Sequence, residues 1–102
     1  MRHLPISVPA VEFGAFCRRH GIRKLALFGS VLTPRFSASS DVDVLVEFEP
    51  QERAGYLRMA AMERELSKLF GGKKVDLRTP SELSPYFRQQ VVNEAVVEYS
   101  KE

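Results

Sequence analysis

Residues 42–48 read Val-Asp-Val-Leu-Val-Glu-Phe, and Asp41 stands immediately before them. Side chains alternate sides along a strand, so Val42, Val44, Val46 and Phe48 face one way while Asp41 and Asp43 share the other face. A chain folded around this segment has to bury one side of it and keep two carboxylates on the reverse. The two aspartates stand about 7 Å apart at Cα, close enough to reach a common ion. Such a pair in isolation is more often the solvated face of a surface strand. Here the neighbouring residues are strongly apolar and the strand is expected to be largely buried. Two unit charges about 4 Å apart at an effective dielectric near 20 repel by roughly 4 kcal/mol. A compensating cation is therefore expected.

The segments around this strand alternate between helical and extended patterns, which predicts a small α/β (α+β) fold: a mixed β-sheet flanked by helices. Phe13, Phe16 and Cys17 recur at helical spacing between Val8 and His20, with Pro9 in the first turn and Gly21 placed to stop the helix. Arg23 to Phe28 reads as a short buried strand that ends abruptly at Gly29-Ser30. Pro34 and the serine-rich stretch 37–40 leave room for at most one helical turn before Asp41. Glu52 to Phe70 reads as a long amphipathic helix with Met59, Met62, Leu66, Leu69 and Phe70 on one stripe, ended by Gly71-Gly72. Lys74 to Arg78 forms a third strand with Val75 and Leu77 inward and Asp76 outward. Thr79-Pro80-Ser81-Glu82 has the form of a capping box, and Ser84-Pro85 starts a helix through Phe87, Val91 and Ala95. Val96 to Tyr99 either finishes that helix or forms a short edge strand.

With 102 residues, 44% of them hydrophobic, the chain has the size and composition of one domain, residues 1–102, and no room for a second substrate-binding lobe. A large second substrate must bring its own surface. The single cysteine excludes an internal disulfide. No apolar run approaches the roughly 20 residues of a membrane span, and the opening MRHLPISVPA lacks a signal-peptide stretch. A cytoplasmic protein without membrane attachment is expected. The net charge of +2 comes from scattered Lys and Arg rather than from a basic patch, which does not argue for nucleic acid.

Asp76 adds a third carboxylate if its strand lies beside that of Asp43. Three hard oxygen donors suit Mg²⁺ or Mn²⁺, with water and substrate phosphate in the remaining positions. Gly29-Ser30 supplies the complementary half: glycine admits a phosphate close to the backbone, the serine hydroxyl donates, and the N–H groups of a following helical turn favour anions. Taken alone the pair reads as a plain turn with Ser30 as a cap. The order raises its meaning: strand, Gly-Ser, loop, strand with Asp-x-Asp, helix, strand with a third Asp.

The segment LFGSVLTPRFSASSDVDVLVEFEP, residues 27–50, in which ten residues separate Gly29-Ser30 from Asp41-Val42-Asp43, resembles the DNA polymerase beta-like nucleotidyltransferases. Within them it is most similar to the minimal nucleotidyltransferases found as antitoxin partners of HEPN-domain toxins. The resemblance continues through residues 52–70 and Val75-Asp76-Leu77. It implies that Asp41 and Asp43 coordinate two divalent ions, that Gly29 and Ser30 hold the β and γ phosphates, and that Asp76 contributes to the metal site and helps activate the attacking hydroxyl. It further implies transfer of AMP from ATP to a hydroxyl, a tyrosine of a HEPN toxin. The chain departs from many relatives in carrying Val31, Thr33 and Pro34 after Gly-Ser, where Arg35 is the nearby cation.

Other residues are read plainly. Cys17 and His20 share a helix face, but His3 is the only other histidine, so a core cysteine and a helix-end histidine are expected rather than a zinc site. Lys73 and Lys74 read as a solvated pair, and Glu47 as solvated or ion-paired. A non-catalytic antitoxin with a vestigial nucleotide site is the alternative; its complex would survive Asp43→Asn unchanged. A nucleic-acid-binding fold fits poorly, since three acidic groups on one face repel phosphate unless metal intervenes. A monomer and a homo-oligomer both stay open.

Overall fold

The computed structural model describes residue 6 and residues 9–101. Helix α1 (Ala10–Arg19) leads into β1 (Ile22–Phe28), and a 3-10 turn follows at Gly29–Leu32. Next come β2 (Val42–Phe48), α2 (Tyr56–Leu69) and β3 (Val75–Arg78). A second 3-10 turn (Pro80–Glu82), α3 (Arg88–Glu94) and β4 (Val96–Ser100) complete the order. The strands form one sheet in the order β3-β2-β1-β4, with β2 and β3 parallel and both other pairs antiparallel.

Register sorts the side chains. Leu25 pairs with Val46, Leu27 with Val44, Val42 with Val75 and Val44 with Leu77, so all of these lie on one face. They are buried against Phe13, Phe16 and Cys17 of α1 and Met62 and Leu66 of α2. Each large side chain here contributes about 1.5–3 kcal/mol by leaving water. The opposite face carries Asp43, Leu45, Asp76 and Arg78. Leu45 and Ala26 are nevertheless buried there, at 4% and 2% exposure, and the 3-10 turn Pro80–Glu82 contacts β2. The sheet is thus covered on both sides at its centre and open at its β3 end.

Several boundaries differ from the sequence-based expectations for physical reasons. α2 begins at Tyr56 rather than Glu52. A turn from Glu49 to Glu52 and an ion pair from Glu52 to Arg58 at 2.9 Å hold Glu52 outside the helix, and Arg58 also donates to the His20 carbonyl at 2.8 Å. Tertiary contacts override the favourable local composition. At its other end Gly71 and Gly72, at φ of 72° and 90°, close the helix with a bond from the Gly72 N–H to the Ser67 carbonyl. α1 begins at Ala10 with Pro9 as its N-cap; Val8 and His3 lie outside the described residues. β1 gains Ile22, and β3 begins at Val75, one residue later than expected. The capping box at Thr79–Glu82 is present but closes only a 3-10 turn, and the last helix shortens to Arg88–Glu94. Residues 96–100 take the edge-strand alternative, pairing with β1.

Candidate active site

The termini of three strands meet at one end of the sheet. β1 runs into Gly29; β2, antiparallel to it, starts there; and β3, parallel to β2, starts beside β2. Phe28 pairs with Asp43, and Asp43 pairs with Asp76. The two carboxylates therefore sit on neighbouring strands, on the same face, roughly one strand spacing apart. Asp41 lies at the entrance to β2, exposed.

Gly29 is at φ 77°, and a Cβ placed on it would stand 2.3 Å from Asp43 Oδ2. The carboxylate fills the space that a side chain would need. The Ser30 backbone N–H donates to Asp43. Burial pushes the Asp43 carboxyl above the usual carboxylate range, the charges of Asp76 and Asp41 push it the same way, and Arg78 and the Ser30 N–H pull it down. Its ionised form is under-compensated by the protein alone.

Sequence reasoning brought Gly29, Ser30, Asp43 and Asp76 to one place, and the structure has them there. The Ser30 hydroxyl, read as a phosphate donor, is joined by a backbone role at Asp43. Among the described residues, no three His, Cys, Asp or Glu side chains form a ready-made cage for an ion. The donors present are nonetheless hard carboxylate oxygens, that of Asp43 under-compensated by its surroundings, and they fit a divalent cation whose other positions are filled by water and phosphate.

Two residues escaped the sequence reading. Arg78 reaches Asp76 Oδ2 from Nη2 at 3.2 Å; it shares the Asp76 face by the two-residue period, which was the available signal. Glu63 of α2 accepts the Leu77 N–H at 2.7 Å, satisfying an outward-facing group of the edge strand. Sequence offered no sign of that pairing. Lys73, read as solvated, instead donates to the Ser37 and Ala38 carbonyls at 3.0 and 3.1 Å and lies over the Phe36 ring, pinning the loop between Gly-Ser and Asp-x-Asp. Cys17 is core, and His20 contacts Glu65, as expected for structural residues.

Two grooves open beside the site, one at Gly29 and one at Asp76. One, of about 820 Å³, runs between Gly29, Leu32 and Thr33 and the α3 residues Gln90 and Glu94. The other, of about 550 Å³, has Asp76 in its wall and lies between α2 and the end of β3.

Residues 13–97 match the family described as nucleotidyltransferase domain. The chain belongs to that family. As a nucleotidyltransferase it is an enzyme, and its relatives carry the same assignment. A Thermococcus cleftensis relative, the protein adenylyltransferase MntA, is 36% identical over 78 residues, covering 76% of each chain. A Methanocaldococcus jannaschii relative, a candidate protein adenylyltransferase by its name, is 33% identical over 78 residues, covering 76% of this chain and 81% of that one. Among solved structures, a toxin-antitoxin with AMP-PNP has a TM-score of 0.72 at 18% identity, covering 93% of this chain and 76% of that one, a likeness of fold. The Shewanella oneidensis tri-AMPylated HEPN toxin in complex with MNT antitoxin is similar at a TM-score of 0.63 and 19% identity, covering 90% and 70%. Among the described residues of the nucleotidyltransferase, no helix is long and apolar enough to cross a membrane.

Proposed function

We propose that this nucleotidyltransferase moves AMP from ATP to a tyrosine hydroxyl of a HEPN-domain toxin in the cytoplasm and so acts as its antitoxin. The observation that carries the reading is the in-register pairing of Asp43 with Asp76 beside the Gly29-Ser30 turn. It is supported by the protein adenylyltransferase relative and by the toxin-antitoxin complexes of the same fold.

In this reading Gly29 and Ser30 receive the β and γ phosphates against backbone N–H groups, while the space left by the missing Gly29 Cβ holds the Asp43 carboxylate. Asp41 and Asp43, with Asp76, would hold Mg²⁺ or Mn²⁺, expected as two ions. Bound divalent ions supply charge neutralisation to the attacking and leaving oxygens. The acceptor oxygen forms a bond to the α-phosphorus as the bond from that phosphorus to the bridging oxygen breaks, and pyrophosphate leaves. The hydroxyl proton passes to the Asp76 carboxylate.

The test is calorimetric titration of ATP with and without Mg²⁺, on the wild type and on an Asp41→Asn, Asp43→Asn double variant, followed by mass spectrometry of a HEPN toxin incubated with each. Saturable binding that needs metal and both carboxylates, with AMP appearing on a toxin tyrosine, is the expected result. Toxin neutralised by the double variant, without modification, would refute it and favour a non-catalytic antitoxin.

A further inference from the structure

The two-residue period that sets Asp43 opposite the core sets Ala26 and Phe28 on the same side, since Phe28 pairs with Asp43 and Ala26 with Leu45. Phe28 lines the groove of about 820 Å³ together with Gly29 and residues of α3. This groove therefore opens on the aspartate face and begins at the turn that receives the phosphates in the reading above. The groove of about 550 Å³ is bounded instead by α2, whose Met62 and Leu66 pack on the core side of the sheet. A nucleotide anchored at Gly29-Ser30 has the larger groove beside it, and its volume is that of an ordinary small-molecule site.

The lining is chemically selective. Phe87 is 61% exposed, a ring left bare at the start of α3, and Leu32 adds a second apolar surface. Gln90 and Glu94 stand one helical turn apart on α3, and among the described residues neither side chain makes a hydrogen bond or ion pair. Asn93 has its Oδ1 engaged by Gln89 Nε2 at 2.9 Å, which leaves its NH₂ group as the donor. Among the described residues, no Lys or Arg lines the groove. An adenine edge offers an amine beside a ring nitrogen, one donor and one acceptor, and a carboxamide answers both; the corresponding guanine edge offers two acceptors and is met by Arg or Lys.

We propose that this groove is a nucleobase subsite that selects adenine. The ring stacks on Phe87 and lies against Leu32, the Gln90 carboxamide pairs with the amine and its neighbouring ring nitrogen, and the Glu94 carboxylate is a second acceptor for that amine. The inference rests on the nucleotidyl-transfer reading above and goes beyond it by assigning the choice of base to α3. Uracil and the O6 edge of guanine turn a carbonyl towards the Glu94 carboxylate, which repels it. Cytosine carries the amine and ring nitrogen of adenine on a smaller ring and stacks less.

The experiment is calorimetric titration, in Mg²⁺, of ATP, CTP, GTP, UTP and inorganic tripolyphosphate into the full chain and into its Phe87→Ala and Gln90→Leu variants. ATP is expected to bind about tenfold more tightly than GTP or UTP, with CTP between them. Phe87→Ala should weaken ATP about tenfold by loss of stacking. Gln90→Leu should bring ATP and GTP to within about twofold of each other. Both substitutions are at exposed positions and should leave tripolyphosphate binding unchanged, which reports an intact fold and phosphate site. Equal affinity for the four nucleotides, tighter binding of GTP, or an ATP preference undiminished in Gln90→Leu would overturn the subsite alone. Failure of every nucleotide to bind would overturn the nucleotidyl-transfer reading with it.

Discussion

Replacing Gly29 with alanine adds one methyl group where the Asp43 carboxylate already sits. Two costs arise. A non-glycine residue at φ 77° costs about 1–2 kcal/mol, offset by roughly 0.4–1 kcal/mol from the lower entropy of the unfolded chain. The backbone part is therefore about 1 kcal/mol. The new Cβ would lie 2.3 Å from Asp43 Oδ2 and 3.1 Å from its Cγ, so the carboxylate must rotate away and give up the Ser30 N–H. A hydrogen bond to a charged group contributes about 1.5–3 kcal/mol, and the lower end applies to this half-buried side chain. Gly29→Ala should thus lose about 2.5 kcal/mol, roughly 10–20 °C in Tm for a domain of this size. In an Asp43→Ala background the obstructing atoms are gone, the remaining contact is to the Asp43 Cβ at 3.4 Å, and only the backbone part should survive. Urea unfolding of the four proteins in EDTA gives the coupling energy directly. About 1.5 kcal/mol is expected; a coupling below about 0.5 kcal/mol, within ordinary additivity, would refute the claim that Gly29 is required by Asp43.

Three further outcomes follow from the same geometry. The Asp43 carboxyl is raised in the folded state, so its contribution to stability is full below its unfolded pKa and is lost as pH rises through the folded value; Asp43→Asn should therefore raise Tm at pH 7 in EDTA and make little difference near pH 3, and an unchanged or lower Tm at pH 7 would contradict this. Arg78→Ala removes the guanidinium paired with Asp76, and isothermal titration should show Mn²⁺ affinity increased about tenfold by the loss of like-charge repulsion, whereas unchanged affinity would show that Arg78 lies outside the reach of the ion. Burial pushes the Cys17 thiol up to about 12, so iodoacetamide at pH 8 should label it only at the rate of unfolding, and rapid labelling of the native protein would argue against the buried position.

Where the sequence was legible, the signal was local. The stripe Met62, Leu66 and Phe70 marked the buried side of α2, and the two-residue period of Val42, Val44 and Val46 marked the core side of β2. The Gly-Gly stop after α2 needs only its own backbone. Elsewhere local patterns ran into distant partners. Glu52 is favourable at a helix start, yet its pairing with Arg58, which also holds the His20 carbonyl, keeps it in the preceding loop. Lys73 has the composition of a solvated residue, yet the loop carbonyls of Ser37 and Ala38 claim it. Leu45 lies on the aspartate side of β2 and is buried all the same, on a strand that the turn at Pro80–Glu82 approaches.

The sequence by itself singled out the candidate residues for the chemistry. The two-residue period placed Asp43 opposite the core side of β2, and the abrupt Gly29-Ser30 ending set a turn at the close of β1. Tertiary structure alone decided that β3 lies parallel beside β2, which brings Asp76 against Asp43 and not to the far edge of the sheet. It also decided that residues 96–100 close the other edge as a strand. The physical reason is one of range. Side-chain periodicity is written in residues two to four apart, while strand order and ion pairing are set by free energies summed over segments that meet only when the core has formed.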